Sequence, residues 1–160
     1  MTDSTRLLLM RHGEAEPFAA SDQDRALSPR GVKETRQLAA WLGQAVPDIG
    51  LVCHSPYLRA RQTADQVCHI LGSPNRLTLN SLVPSAEPTA VLASLETTEF
   101  NTVLCISHQP LVGNLRSYLV EGGYGGSYPF VTAGVTLLEC DFLGAGGASM
   151  TWFRCPADIV

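Results

Sequence analysis

A basic tripeptide with a nucleophilic centre, Arg11-His12-Gly13, directly follows an apolar run at residues 7–10. Such a run predicts a buried parallel strand, and ligands of open α/β sheets bind outside the carboxyl ends of these strands. A neutral imidazole can attack phosphorus, a guanidinium fork suits phosphate oxygens, and glycine lets the backbone turn and approach a ligand closely. The tripeptide therefore indicates phosphoryl chemistry, and the alternative is a chance sequence in a surface loop.

Two further side chains that could bind phosphate lie at later strand-to-helix junctions. Arg59 follows Ser55-Pro56, which predicts a helix start, and His108 stands before Gln109-Pro110, which predicts another. The carboxyl ends of neighbouring parallel strands share one edge of the sheet, and helix N-termini favour anions there. We therefore expect both residues to join the tripeptide around a single phosphoryl group.

Each of the four side chains has a predicted role. His12 is the candidate nucleophile, and His108 donates a hydrogen bond or a positive charge to a phosphoryl oxygen. Arg11 and Arg59 stay protonated at any ordinary pH, so both hold the phosphoryl group throughout. Guanidinium groups should lower the pKa of His12 and bound phosphate should raise it, which leaves the balance open. Taken singly, His108 also fits a helix cap and Arg59 a solvated helix face.

The order of predicted elements is that of an α/β fold, because β-rich apolar runs alternate with helical periodicity. The predicted strands cover residues 6–10, 49–54, 77–79, 102–107, 135–141 and 150–155. The predicted helices run from Ser28-Pro29 to Pro47, from Ser55-Pro56 to Leu71-Gly72, from Pro88 to Leu95, and from Gln109-Pro110 to the residue before Gly122-Gly123. An antiparallel hairpin across residues 144–147 makes the sheet mixed. We expect one domain over residues 1–160, a three-layer sandwich with helices flanking a central, mostly parallel sheet.

Composition argues against several functions. The net charge of −4 and the pI near 5.5 are unlike those of a general nucleic-acid binder. The first apolar run is too short for a signal-peptide core or a membrane span, so we expect a cytoplasmic protein without a membrane partner. The five cysteines include no C-x-x-C pair and predict free thiols, since Cys53-His54 and Cys68-His69 lack the spacing of zinc ligands. We expect neither metal nor cofactor, because arginines and helix ends supply the positive charge.

Other polar and aromatic residues are expected to lie outside the chemistry. Arg61 is predicted to be a surface charge, and His54 and His69 to be incidental. Aromatic residues in loops could line an exposed docking rim, although such residues are more often partly buried. The candidates for this rim are Phe18, Tyr57, Tyr124, Tyr128 and Phe130.

The motifs resemble those of the histidine phosphatase superfamily, also called the phosphoglycerate-mutase-like family. The resemblance rests on four segments: residues 8–14 with Arg11-His12-Gly13-Glu14, residues 27–31 with the following helix, residues 55–63, and residues 103–112. It implies that His12 becomes phosphorylated. It also implies a phosphate pocket formed by Arg11, Arg59 and His108.

Within the superfamily, this short chain is most similar to the SixA-type phosphohistidine phosphatases. Residues 21–28 and 107–113 carry this similarity. In that branch an aspartate and an arginine border the pocket, which implies the same position for Asp22 and Arg25. The alternative for both residues is a solvated polar loop.

One departure from the family concerns the general acid. Many superfamily enzymes place a glutamate in a Leu-x-Glu segment after the third strand, whereas this chain has Leu79-Asn80-Ser81. Asp22, Glu87 or Glu14 could substitute, although Glu14 fits better as a brace of the motif loop and Glu87 as the start of the Pro88 helix. A leaving alkoxide needs a proton donor far more than a leaving imidazole does. The absence of this carboxylate therefore favours a phosphoramidate substrate.

These inferences predict a phosphohistidine phosphatase that forms a covalent phosphohistidine on His12, with a place in two-component or phosphorelay signalling. The expected partner is a protein that carries phosphohistidine, such as a phosphotransfer domain or a phosphocarrier. Two alternatives stay open. One is a small-molecule phosphomonoesterase or phosphoglycerate-mutase-like enzyme that takes a phosphate ester, and the other is a catalytically silent phosphohistidine-binding module.

Overall fold

A six-stranded mixed sheet forms the centre of the molecule in the computed structural model, which describes residues 4–124 and 128–159. Its strands are β1 (Thr5–Arg11), β2 (Leu51–His54), β3 (Asn75–Thr78), β4 (Thr102–Ser107), β5 (Val135–Cys140) and β6 (Ala148–Arg154). They lie in the order β3-β2-β4-β1-β5-β6. The first four strands are parallel, β5 is antiparallel to β1, and β6 is antiparallel to β5. The predicted α/β sheet and its terminal hairpin are confirmed.

Helices cover both faces of the sheet and complete a three-layer sandwich. They are α1 (Pro29–Ala45), α2 (Leu58–Ile70), α3 (Pro88–Leu95) and α4 (Leu111–Glu121). Alternate residues of β1 point to opposite faces, as the period of a strand requires. Leu7 and Leu9 pack in one core with α3 and α4, while Leu8 and Met10 pack in the other with α1 and α2. None of the helices in residues 4–124 and 128–159 is long and apolar enough to cross a lipid bilayer.

Helix α1 begins and α4 ends where the sequence predicts. Ser28 caps α1 by accepting a hydrogen bond from the Gly31 N–H at 3.0 Å, and Pro29 occupies the first helical position. Gly122 ends α4 in the left-handed region, with a φ of 84°. The chain that follows Gly122 is rich in glycine, and its residues 125–127 lie outside the described part of the chain.

Several boundaries differ from the prediction by one to three residues, among them the starts of α2 and β3. Helix α2 begins at Leu58 instead of Ser55-Pro56, and Ser55 stays in the extended segment that leaves β2. Strand β3 begins two residues earlier than predicted, because pairing with β2 extends it to Asn75 although every residue of β3 is exposed. An exposed edge strand lacks the continuous apolar run that indicates a buried strand. The sequence therefore predicts only the most apolar part of β3.

Candidate active site

The pairing of β1 with β4 brings the two predicted histidines together. These strands are parallel, with Arg11 opposite Ser107, so the residues that follow, His12 and His108, leave the sheet side by side. The His12 N–H donates to the Ser107 carbonyl at 2.9 Å and extends the pairing by one step. As a result, the two imidazole centroids lie 5.0 Å apart at the carboxyl edge of the sheet.

His12 has one ring nitrogen that must carry a proton and one that must not. Nδ1 lies 2.7 Å from the Gly13 carbonyl oxygen, and because a carbonyl only accepts, Nδ1 is the donor. Nε2 accepts a hydrogen bond from Nε of Arg59 at 3.2 Å. The neutral ring therefore presents its lone pair at Nε2, the atom suited to attack phosphorus.

The surroundings keep His12 neutral at physiological pH. Burial is the largest effect and, with the charges of Arg59, Arg11 and Arg25, lowers the pKa of His12 to about 4, against a smaller opposing effect of the bond to Gly13. The sequence indicated the effect of the arginines, whereas burial becomes visible only in the fold. A neutral imidazole is the nucleophilic form.

Arg59 is buried in the first turn of α2 and makes three further contacts besides the bond to His12. Nη1 donates to the Asp22 carbonyl at 2.7 Å, Nη2 donates to the Asp22 carboxylate at 3.2 Å, and the guanidinium lies 5.1 Å from the centroid of the Tyr57 ring. These partners hold the guanidinium so that its Nε faces His12, the candidate nucleophile. The structure therefore places Arg59 beside His12, although 47 positions separate the two residues.

Asp22 and Arg25 lie at the same edge and contact each other. Nη1 of Arg25 donates to the Asp22 carboxylate at 3.0 Å, and Nε of Arg25 donates to the Glu16 carbonyl at 2.8 Å. The bond from Arg25, followed by the charge of Arg59, lowers the pKa of Asp22. Asp22 is consequently a carboxylate at neutral pH and a poor proton donor in this state.

Arg11 is held from the opposite side of the site. Its Nη1 donates to the Phe130 carbonyl at 2.8 Å, while its buried Nε has no hydrogen-bond partner among the described residues. Burial, followed by the charge of Arg59, lowers the pKa of Arg11. Two guanidinium groups that repel each other in this way form a site that an anion would stabilise.

His108 contacts a residue that the sequence analysis treated only as a helix cap. Its Nε2 lies 2.7 Å from Oγ of Ser55, and its buried Nδ1 has no partner among the described residues. Burial, then the nearby His12 and Arg59, lowers the pKa of His108 to about 2. His108 is therefore neutral, so of its two predicted contributions the hydrogen bond is available here and the positive charge is not. The position of Ser55 at the end of β2 was the available signal for this contact.

Gly13 allows the motif loop to pack closely against α1. A Cβ atom on Gly13 would lie 2.5 Å from Oγ1 of Thr35 and 2.9 Å from the Gly31 carbonyl oxygen, so no larger residue fits. The Gly13 N–H donates to Oγ1 of Thr63 at 3.0 Å, and the same hydroxyl donates to the Arg59 carbonyl at 2.7 Å. One threonine therefore links the backbone next to His12 to the backbone of Arg59.

Two of the three candidate general acids lie in structural positions. The Glu14 carboxylate accepts a hydrogen bond from the Ser28 hydroxyl at 2.6 Å, which braces the motif loop against the start of α1. Glu87 is exposed and immediately precedes α3. Ser81 forms a hydroxyl pair with Ser94 at 2.9 Å. Among the candidates, Asp22 is the one that contacts the arginines of the site.

The aromatic residues considered for an exposed rim divide between the two alternatives. Phe18, Tyr124 and Tyr128 are exposed, whereas Phe130 is 3% exposed and packs edge-on against Phe153, so Phe130 is a packing residue. Its backbone turns the ring into the core while its carbonyl faces Arg11. Tyr57 is partly buried and packs against His108, with ring centroids 5.0 Å apart.

The surface position predicted for Arg61 is confirmed. Arg61 and His69 are exposed, and the buried His54 accepts a hydrogen bond from Arg76 at 3.0 Å. All five cysteines are free. No group of three or more potential metal ligands occurs within residues 4–124 and 128–159.

Comparison with known proteins identifies relatives across nearly the whole chain. A sequence profile of the histidine phosphatase superfamily (branch 1) matches residues 7–79. Phosphohistidine phosphatase SixA of Escherichia coli (strain K12) is 35% identical over 160 residues, covering 96% of each protein. The phosphohistidine phosphatase SixA homolog of Haemophilus influenzae is 32% identical over 124 residues, covering 71% of this chain and 76% of that protein. The solved structure of the protein histidine phosphatase SixA complexed with tungstate matches with a TM-score of 0.86 and 34% identity, covering 98% of this chain and 100% of that one. This chain therefore belongs to the histidine phosphatase superfamily.

Proposed function

We propose that this protein is a phosphohistidine phosphatase that hydrolyses phosphohistidine on a partner protein. The observation that carries the proposal is the Nε2 lone pair of neutral His12, which lies against Arg59 and beside His108. The 35% identity to the SixA phosphatase of E. coli supports phosphohistidine as the substrate class. Residues 1–160 would act as one domain, since the two apolar cores share a single sheet.

The reaction has two displacement steps at phosphorus. In the first, Nε2 of His12 forms a bond to phosphorus while the bond to the substrate imidazole breaks, and the leaving imidazole takes a proton from water. In the second, water attacks phosphorus and the bond to Nε2 breaks, which restores the lone pair and releases phosphate carrying both protons of the water. One of these protons neutralises the hydroxide left by the first step, so the net reaction consumes one water molecule. Neither step requires a redox partner.

The oxygens of the phosphoryl group would be held by Arg11, Arg59 and His108. Both guanidinium groups stay charged as negative charge moves during transfer, and His108 adds a neutral donor. Asp22 and Arg25 border this pocket, and Gly13 lets the loop that carries His12 pack closely beside it. The similar protein histidine phosphatase SixA has been solved in complex with tungstate, a tetrahedral oxyanion, which supports oxyanion binding by this chain.

Among the residues that the structure describes, the site contains no free acid, and this favours phosphohistidine over a phosphate ester. Asp22 is ionised and paired with arginines, and the position of the family glutamate is taken by Ser81. An imidazole can leave after protonation by solvent, whereas an alkoxide needs a positioned donor that contributes about 10²–10⁴ in rate. The partner protein would present its phosphohistidine to this open edge of the sheet. A cytoplasmic location fits the free thiols, which persist in reducing compartments.

Trapping the covalent intermediate tests this proposal. The protein is exposed briefly to a protein labelled on phosphohistidine and then denatured in base, which preserves phosphohistidine. We expect acid-labile label on His12 in the wild type and in the control variant His69→Ala, whose side chain is exposed. Equal labelling of His12→Ala would contradict the assignment, and tight binding of the substrate without turnover would support a silent binding module.

A further inference from the structure

A buried hydroxyl from a neighbouring strand contacts one of the two histidines of the site. Oγ of Ser55 lies 2.7 Å from Nε2 of His108, and the residues are 0% and 1% exposed. Nδ1 of the same imidazole is buried and has no hydrogen-bond partner within the described residues. We propose that Ser55 is a positioning residue that holds His108 as the Nδ1–H tautomer, with that N–H left free for a phosphoryl oxygen.

The hydrogen-bonding capacity of Ser55 sets the direction of this bond. Oγ accepts a hydrogen bond from the Tyr57 N–H at 3.2 Å, so its own proton needs an acceptor. Nε2 of His108 is the acceptor that the described structure offers, at a short distance typical of a strong hydroxyl bond. If His108 instead carried its proton on Nε2, the Ser55 proton would have no partner in a fully buried position, which is costly.

The tautomer decides what His108 presents to an anion. With the proton on Nδ1, the unpartnered atom is a donor, and phosphoryl oxygens only accept. With the proton on Nε2, a bare lone pair would face those oxygens and repel them. Because His108 is neutral in the free protein, its contribution depends on which nitrogen carries the single proton. The catalytic consequence rests on the proposed function, whereas the tautomer itself does not.

Ser55 is held firmly enough to impose this choice. Its N–H donates to the Ile106 carbonyl at 3.1 Å, which continues the pairing of β2 with β4. Its carbonyl accepts a hydrogen bond from Nδ1 of His54 at 2.9 Å. The Tyr57 ring packs against the other side of His108. Backbone, hydroxyl and neighbouring ring thus fix the orientation of the imidazole before substrate arrives.

Nitrogen NMR of the full chain labelled with ¹⁵N-histidine tests the tautomer directly. We expect His108, identified by the signal lost in His108→Gln, to show a protonated Nδ1 and an unprotonated Nε2 near pH 7. In Ser55→Ala this preference should disappear, and in Ser55→Cys, a weaker donor of similar shape, it should be intermediate. A wild-type His108 protonated on Nε2 overturns the proposal, and this result requires no variant to fold.

Kinetics of the same variants test the consequence for phosphoryl transfer. We expect Ser55→Ala to lower kcat by roughly 10- to 100-fold, with Ser55→Cys between it and the wild type. Ser149→Ala is the matched control, because it removes an exposed hydroxyl on β6, an edge strand of the sheet. Unchanged kcat in Ser55→Ala, with thermal melting confirming a folded protein, overturns the catalytic role. If the wild type itself fails to hydrolyse phosphohistidine, the proposed function fails while the NMR result still decides the tautomer.

Discussion

Nε of Arg59 donates to Nε2 of His12 at 3.2 Å, so the two groups that would meet the phosphoryl group already contact each other in its absence. Arg59 stays in this position because its other nitrogens bind the carbonyl and carboxylate of Asp22. Because Nε2 has a single lone pair, an arriving phosphoryl group would replace this hydrogen bond, and the released N–H of the buried guanidinium would be next to the phosphoryl oxygens. Several measurable consequences follow from this contact and its surroundings.

Removing the Arg59 guanidinium should impair phosphoryl transfer more than removing any exposed charge of α2. We expect Arg59→Ala to lower kcat/KM on a phosphohistidine protein by about 10²–10³, since it removes a donor to the transferring group. Arg61→Ala is the matched control, because Arg61 lies in the same turn but is exposed. Steady-state kinetics of both variants make the test, and equal losses would remove Arg59 from the proposed pocket.

The decline of kcat/KM at low pH should reflect the protonation of His12. With the pKa of His12 lowered to about 4, kcat/KM should not change as pH falls from 7 toward 5, and it should decline near pH 4 as Nε2 becomes protonated. In Arg59→Met, loss of the neighbouring charge raises the pKa of His12, so the remaining activity should decline at higher pH. A limb near pH 6.5 in the wild type would contradict the lowered pKa of His12.

Acid should also destabilise the fold through the buried His12. Its pKa is about 4 when folded and near 6.5 when unfolded, so between these values the unfolded chain binds more protons and stability falls as pH falls. For His12 alone the loss from pH 7 to pH 5 is roughly 2 kcal/mol. Denaturant unfolding of His12→Gln should therefore show a weaker dependence on pH than the wild type. The exposed His69→Ala serves as the control and should follow the wild type.

Two glycines of α1 should respond oppositely to alanine. A Cβ atom on Gly31 would lie 2.0 Å from the Glu14 carbonyl oxygen, which is backbone and cannot give way without moving the motif loop. Gly31→Ala should cost at least about 1–3 kcal/mol and lower activity as well. At Gly43 the nearest atom is the flexible Cδ2 of Leu71, 3.1 Å away, so Gly43→Ala should be neutral or stabilising. Thermal melting compares the two variants, and a stable, active Gly31→Ala would contradict the described packing.

Substrates that differ in their leaving group should separate the proposed function from its enzymatic alternative. Without a positioned acid, alkyl phosphates should react far more slowly than phosphohistidine, with aryl phosphates of acidic phenols in between. The measurement compares kcat/KM for phosphohistidine, aryl phosphates and alkyl phosphates at one pH. A preference for sugar phosphates or phosphoglycerates over phosphohistidine proteins would instead indicate a phosphomonoesterase or mutase.

The elements with strong local signals were predictable from the sequence. Strand β4 and helix α3 have the predicted bounds, because one is a continuous apolar run and the other begins at a proline. The predicted start of α2 at Ser55-Pro56 was wrong. This pair resembles a helix cap, but Ser55 precedes the helix and contacts His108. A local capping rule does not include a partner that lies 53 positions away in the chain.

The residues of the site were also predictable only in part. Motif positions next to strand ends indicated that His12, Arg59 and His108 would meet, and the parallel pairing brings them together. The sequence left open whether Phe130 would be exposed or buried, because the direction of a side chain in an irregular segment depends on the whole fold. The tautomer of His12 likewise depends on the Gly13 carbonyl, whose orientation has no sequence signal.

The alignment of Arg11 with Ser107 makes strand length a constraint on chemistry. One residue advances a strand by about 3.3 Å and reverses its side chains. An insertion or deletion inside β4 would therefore swing His108 to the far face of the sheet, whereas the turns at the opposite edge can vary without that consequence. Loop lengths can therefore change in proteins with this fold, whereas the register between β1 and β4 has to be preserved.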